Sequence, residues 1–130
     1  MINIKKIVLI AVCIMVLILG FYGIKLLNYK KKIREIKIEN VELSTISDGK
    51  YTGSCDVSYI ASEVSVTVKD HKITDISLLK HKNERGKPAE VIPGKVVDAQ
   101  SLKVDTISGA TNSSKVILKS IENALNSGKS

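Results

Sequence analysis

The sequence predicts a small α+β domain that follows an N-terminal transmembrane helix. Residues 7–24 form an 18-residue run without a charged residue, which is close to the length that crosses a bilayer as a helix. Further along, residues 64–68 alternate as in a half-buried strand, and apolar residues near the C-terminus recur at helical spacing. Because strands precede a helix and 130 residues fit one domain, we expect an α+β fold.

The apolar run is predicted to be an uncleaved membrane anchor over residues 7–27. As a helix it extends about 27 Å, close to the thickness of the hydrocarbon core. Phe21, Tyr22 and Tyr29 lie towards its far end, where aromatic rings favour the membrane interface. A cleaved signal peptide is the alternative, but no pair of small residues forms a cleavage site there. We therefore expect a single-pass protein in the lipid bilayer of the cell membrane, with residues 1–6 as a short flank.

The charges beside the anchor, taken alone, place the C-terminal domain in the cytoplasm, because basic flanks favour that side. Basic residues after the span outnumber those before it. They are Lys25, Lys30, Lys31, Lys32 and Arg34 after the span, and Lys5 and Lys6 before it.

Residues 28–46 are predicted to be a charged stalk that leads to the domain at 47–127. Ile33 and Ile36 have helical spacing, but a strand fits equally well, so periodicity does not decide. The residues that could belong to a strand are Ile36, Ile38, Val41 and Leu43. We expect this stalk to be solvated above the lipid headgroups.

A hairpin is predicted in the first half of the domain. A strand-like run begins after the Asp48-Gly49 turn signal, and the alternating valines follow it. Asp70-His71 then forms a tight turn, although this pair is a weaker turn signal than Asp-Gly. A second strand with imperfect alternation covers residues 73–78.

The second half of the domain is predicted to end in a helix. Residues 80–88 read as a polar loop, 91–100 as a short helix or an irregular segment, and 102–104 as a brief strand. Asn112 or Ser113 is expected to cap the final helix. The apolar stripe of that helix consists of Val116, Ile117, Ser120, Ile121, Ala124 and Leu125, and Gly128 ends it.

Charge and composition exclude several classes of function. The net charge is +7, but residues 1–44 hold eight basic and three acidic residues, so +5 belongs to that part. The domain therefore has no basic face for nucleic acid, and one Phe with no Trp leaves few rings for stacking bases. Cys13, Cys55, His71 and His81 show no metal-ligand spacing, so we expect no metal site.

The densest polar segment, residues 105–114, lies where the chain enters the final helix. It reads DTISGATNSS, with the small residues Gly109 and Ala110 among hydroxyl side chains. Helix N-termini carry free N–H groups and the positive end of the helix dipole, so they attract phosphate. The segment is a candidate phosphate site or acceptor for modification, although a turn with a helix cap would use the same residue types.

Three blocks of the sequence resemble the FMN-binding domain family. They are DGKYTG at 48–53, VSVTVKDHKITDISLLKH at 64–81 and KVVDAQSLKVDTISGATNSSKVILKSIENAL at 95–125. The stretch D-x-x-S-G-A-T-x-S-S at 105–114 is the most specific part of this resemblance. The domain occurs in flavin-carrying subunits of the sodium-translocating quinone reductase and the Rnf complex, and in small membrane-anchored redox proteins.

The resemblance implies an electron carrier with covalent FMN, not an enzyme with its own substrate. In the family, a separate flavin transferase splits FAD and attaches FMN by a phosphodiester to the last Thr of the S-G-A-T block. By position that acceptor is Thr111, and Asp105 serves recognition or orients the hydroxyl. The cofactor-binding residues implied are Asp105, Ser108, Gly109, Ala110, Thr111, Ser113 and Ser114. The implied partners are the flavin transferase and membrane redox proteins.

The family also bears on orientation, because most members work outside the cytoplasmic membrane. We therefore expect the C-terminal domain to be extracytoplasmic, against the indication of the flanking charges.

Two segments depart from the family's pattern. Residues 55–60 replace Gly-rich residues, and residues 84–87 replace an E-T-P-G loop. Tyr51, Tyr59 and His81 are candidates to lie near the flavin ring. The departures leave two alternatives open: a flavin-free binding or assembly module of the same fold, and a reductase that holds FMN non-covalently.

Overall fold

The computed structural model describes residues 3–83 and 86–129, and it confirms the α+β prediction. Three antiparallel strands and a C-terminal helix follow a long apolar helix. The elements are α1 (Ile4–Glu35), β1 (Gly49–Asp56), β2 (Ala61–Lys69), β3 (Lys72–Lys82), α2 (Ile92–Ala99) and α3 (Thr111–Ser127), with 3-10 turns at Leu43–Thr45 and Lys87–Val91.

The strands form one sheet in the order β1–β2–β3, and a two-residue turn joins β2 to β3. The φ angles of Asp70 and His71 in this turn are 52° and 60°, the left-handed values that a type I′ turn requires. The Asp48 carboxylate accepts a hydrogen bond from the Asp70 N–H at 2.8 Å. The predicted hairpin is therefore present, and a residue beside β1 supports its unusual turn.

Two β-bulges explain the imperfect alternation of β3. Val66 pairs with Ile76 and Val68 pairs with Ile73, so β3 has one more residue than β2 between these pairs. A second register shift lies nearer the end of β3. Because a bulge moves the following side chains by one position, apolar residues three apart both reach the core. β3 extends to Lys82, so the loop predicted from residue 80 begins later.

Helix α3 packs on β1 and β2 and supplies one side of the core. Its predicted apolar stripe is buried, and so are Val64, Val66 and Val68 of β2 on the opposite side. β1 approaches α3 so closely that a Cβ atom on Gly53 would lie 2.2 Å from the backbone oxygen of Ser120. The absence of a side chain at residue 53 therefore permits this packing.

The connector between α1 and β1 packs on the domain, which differs from the solvated stalk that we expected. Val41 and Ile46 are buried in the main core. The backbone N–H of Glu39 donates a hydrogen bond to the Glu122 carboxylate of α3 at 2.5 Å. The apolar residues of the connector gain more by burial in this core than by remaining in water.

The predicted strand at 102–104 was wrong, and residues 92–99 form a helix. The free edge of β3 near this segment is occupied by the Gln100 side chain. Its Oε1 accepts from the Ile73 N–H and its Nε2 donates to the Ile73 oxygen, both at 2.8 Å. The Gln100 side chain thus makes the two hydrogen bonds with the Ile73 backbone that an additional strand would make.

The predicted cap of α3 was also wrong. The helix begins at Thr111, its N-cap is Ala110, and no side chain in the described residues caps it. Neither Asn112 nor Ser113 has the extended backbone of a cap, because both lie inside the first turn.

Among residues 3–83 and 86–129, α1 is the one helix long and apolar enough to cross a membrane. Its most apolar 18-residue window has a mean hydropathy of 3.0, and none of that window is buried. By length and composition, such a helix near the N-terminus fits a membrane span or a signal sequence.

Candidate functional site

A cleft of about 560 Å³ lies at the N-terminus of α3. Clefts of roughly 300–1,000 Å³ commonly hold small molecules and cofactors. Residues 109–113 line it from the α3 side, Tyr59 and Ile60 from the β1–β2 connection, Leu26 and Tyr29 from α1, and Gly86 from the loop after β3.

The first turn of α3 carries backbone N–H groups without helical partners. The first intrahelical bond is the one that the Ser114 N–H donates to the Ala110 oxygen at 2.9 Å. The three preceding N–H groups, at residues 111–113, therefore have no intrahelical acceptor. With the helix dipole they favour a phosphate at this end of the cleft.

Thr111 is the first residue of α3, and it is exposed in the lining of the cleft. Gly109, two residues earlier, has φ +79°, and a Cβ atom there would meet nothing within 4 Å. The left-handed backbone, not crowding, is therefore the reason for glycine at 109. The space beside Gly109 is open, and a phosphate or a transferring enzyme can approach the exposed Thr111 there.

Ser113 is fixed in the cleft wall by a chain of hydrogen bonds. Its Oγ lies 3.2 Å from His81 Nε2, and His81 Nδ1 lies 2.9 Å from Glu90 Oε2. When Nδ1–H donates to the carboxylate, Nε2 is left to accept from the serine hydroxyl. The His81 side chain is only 2% exposed, and Gly86 packs closely over Ser113. His81 therefore lies behind the wall and orients Ser113.

The remaining residues implied by the motif surround the loop that leads into α3. Ser114 is fully buried; its hydroxyl accepts from the Ile107 N–H at 3.0 Å and donates to the Ala110 oxygen at 2.8 Å. These two bonds close the loop before Thr111. Asp105 and Ser108 are exposed outside the cleft lining, so they are accessible to a second protein.

Two tyrosine rings form an aromatic wall on another side of the cleft. Tyr29 and Tyr59 pack edge to face, with centroids 5.2 Å apart and planes at 86°. Asn112 Nδ2 donates to Tyr29 Oη at 3.4 Å, and Lys25 Nζ lies 5.0 Å from the Tyr59 ring centroid. Sequence reasoning assigned Tyr29 to the membrane interface and missed its place in the cleft, because it lies 83 positions from Asn112.

The three residues expected near the flavin ring lie in different places. Tyr59 lines the cleft, and His81 contacts Ser113, which lines it. Tyr51 lies at the other end of α3: its Oη donates to the Ser47 oxygen at 2.6 Å, and its ring packs against Gly128.

Both segments that depart from the family's pattern border the cleft. The first contributes Tyr59 and Ile60, and the second contributes Gly86. Glu84 and Arg85 of the second segment lie outside the described residues.

The residues of the cleft fit FMN. The free N–H groups and hydroxyls at the start of α3 suit a phosphate. Tyr29, Tyr59, Leu26 and Ile60 suit a flat and largely apolar ring system. One cleft therefore combines a phosphate-binding end with an aromatic wall.

Comparison with known proteins agrees with this chemistry. The family model of the FMN-binding domain matches residues 60–126, which include β2, β3, α2 and all of α3 except its last residue. A curated relative, the NADH:acrylate oxidoreductase of Vibrio harveyi, is 36% identical over 98 residues, or 73% of this chain. The chain spans only 10% of the length of that relative.

Proposed function

The chain belongs to the FMN-binding domain family, and we propose that it is a membrane-anchored carrier with FMN attached covalently to Thr111. Its cofactor is FMN, and its role is flavin-based electron transfer. The observation that carries the proposal is the exposed Thr111 hydroxyl, at a helix N-terminus inside a cleft that fits the cofactor. Bound FMN supplies transfer of one or two electrons, while the protein binds and orients it.

Thr111 is the proposed acceptor in a reaction catalysed by a separate flavin transferase, with FAD as the donor. The Thr111 oxygen forms a bond to the flavin-side phosphorus, the P–O bond of the pyrophosphate breaks, AMP leaves and the hydroxyl proton is released. The reaction changes no oxidation state, so it requires no oxidant or reductant. The N–H groups of the first turn of α3 then stabilise the charge of the phosphodiester.

A carrier is favoured over an enzyme because the chain matches only 10% of the length of its relative. NADH and acrylate appear in the name of a protein of which this chain matches one tenth. A domain that forms so small a part of a larger oxidoreductase suits a relay for electrons. A flavin-free module is disfavoured because the family binds FMN.

The membrane anchor is supported by the length and hydropathy of α1, whose most apolar 18-residue window has a mean hydropathy of 3.0. Beyond the apolar run, Ile33 is buried in a cluster with Val57, Ile60 and Val116, so the end of α1 is also part of the domain. We therefore place α1 in the cell membrane as a single span. The family's usual location favours an extracytoplasmic domain.

Flavin fluorescence in a denaturing gel tests the proposal. The full-length chain is produced with and without a flavin transferase, and the membrane fraction is compared. We expect a fluorescent band at the size of the chain only when the transferase is present. A dark band in both samples would contradict covalent attachment. Flavin released by acid precipitation, together with turnover of a nicotinamide donor, would support the non-covalent reductase.

A further inference from the structure

The end of the membrane helix is part of the cofactor cleft. Leu26 and Tyr29 of α1 line it together with Tyr59 and Ile60. The apolar run ends at Ile24, so Leu26 and Tyr29 lie about 3 Å and about 7.5 Å further along the helix axis, given the rise of an α-helix. With α1 in the bilayer, the cleft lies at the level of the lipid headgroups.

Contacts on several sides fix this part of α1 against the domain. Ile33, one helical turn beyond Tyr29, is only 8% exposed. The Tyr29 ring packs on Tyr59, and its hydroxyl accepts a hydrogen bond from Asn112 in the first turn of α3. The helix is therefore a fixed wall of the cleft and not a loose tether.

The cleft offers two different surfaces to one elongated ligand. The N-terminus of α3 with Thr111 takes the phosphate end, and the Tyr29–Tyr59 pair lies on another wall. A molecule anchored by its phosphate at Thr111 can place a flat aromatic group against the tyrosines, because aromatic rings favour offset or edge contacts with other rings.

We propose that α1 is a working part of the FMN site, in which Tyr29 together with Tyr59 holds the isoalloxazine ring at the membrane surface. A ring held there would be accessible to redox partners at the level of the headgroups. This inference rests on the proposed function, since it takes the phosphate of FMN to be bound at Thr111.

The test uses the full-length flavinylated protein in lipid nanodiscs. Iodide in the water quenches flavin emission when the ring is accessible. We expect Tyr29→Ala to increase iodide quenching several-fold, because it removes one wall. Tyr29→Phe keeps the ring and should retain the wild-type shielding. Tyr22→Ala is the matched control, because Tyr22 is an exposed tyrosine of the same helix that is not in the cleft lining.

A second measurement needs no variant. Nanodiscs contain lipids with a spin label either at the headgroup or deep in the acyl chain, and quenching of the wild-type flavin is compared. We expect stronger quenching by the headgroup label. Two results would overturn this inference without affecting the proposed function. One is equal iodide quenching in wild type, Tyr29→Ala and Tyr22→Ala, and the other is no quenching by the headgroup label. A wild-type chain without attached flavin would overturn the proposed function and the inference with it.

Discussion

At the scale of single residues, the hydroxyl side chains of segment 105–114 differ in what surrounds them. Ser113 is bonded to His81, and Ser114 is buried and bonded to the loop backbone. Ser108 is exposed but lies outside the cleft lining. Thr111 combines exposure with a place in the cleft. The motif alone shows several equivalent hydroxyls, and the fold distinguishes them.

His81 is expected to stabilise the domain through the bonds that it makes inside the cleft wall. His81→Ala removes the partner of Ser113 and leaves space in a buried position. Removing a partner of a buried polar group typically costs about 1–3 kcal/mol of unfolding free energy, measurable by chemical denaturation. Glu90→Gln is the milder control, because its amide oxygen still accepts from Nδ1–H. Equal stability of His81→Ala and wild type would contradict this role.

Cys55 is expected to be an unreactive thiol. Burial raises the pKa of Cys55 above its ordinary value of 9.0, the nearby Lys119 lowers it by less, and Asp56 raises it slightly. The thiolate is the nucleophile, so alkylation at neutral pH should be slower in the folded protein than in urea. Because folding favours the protonated thiol, this group's contribution to stability is complete below pH 9 and is lost as the pH rises further.

Alkylation of a Cys13→Ser variant follows Cys55 alone and checks the prediction. Equal rates in the folded and the unfolded chain at the same pH would show that the thiol is accessible and its pKa is not raised.

At the scale of elements, the absence of a side chain at Gly53 lets β1 lie against the backbone of α3. Gly53→Ala places a methyl group against the backbone of Ser120 and Ala124, and overpacking of this kind typically costs about 1–3 kcal/mol. Gly94→Ala in α2 is the matched control, because a Cβ atom there meets nothing within 4 Å. The control should gain about 0.5–1 kcal/mol from helix propensity. Thermal or chemical unfolding of both variants gives the comparison, and a neutral Gly53→Ala would contradict the packing.

The elements that the sequence predicted well are those with local signals. The stripe of α3 and the alternation of β2 recur within a few residues, so periodicity was sufficient. The bulges of β3 and the Gln100 side chain at the sheet edge depend on neighbours distant in sequence. For the same reason the connector was expected in solvent, because the core residues that its isoleucines and valines pack against lie far along the chain, as Glu122 of α3 does, 83 positions from Glu39.

At the scale of the whole molecule, one cleft brings together parts from both ends of the chain. The motif at 105–114 was recognisable because the family resemblance covers it. The aromatic wall was not recognisable from the sequence, because Tyr29 lies in a segment that was expected at the membrane interface. The anchor and the cofactor domain, which the sequence suggests are separate parts, therefore share one cleft in the structure.

The orientation of the chain in the membrane is a further prediction at this scale. We expect protease added to intact spheroplasts to degrade the domain at 47–127, because the usual location of the family that it resembles is extracytoplasmic. Immunoblotting of the domain measures the loss, and detergent-lysed cells are the control for cleavability. Protection in intact spheroplasts with cleavage after lysis would place the domain in the cytoplasm, as the basic flank of α1 indicates.

We propose above that the chain holds its FMN on Thr111. The most direct measurement is peptide mass spectrometry of the full-length chain co-produced with a flavin transferase. Thr111→Val removes the hydroxyl at nearly constant shape, and Thr106→Val does the same at an exposed threonine outside the cleft lining. We predict a mass increase of FMN less one water on Thr111 in wild type and Thr106→Val, and none in Thr111→Val. An unmodified Thr111 peptide in wild type, or a flavin adduct retained by Thr111→Val, would contradict the account.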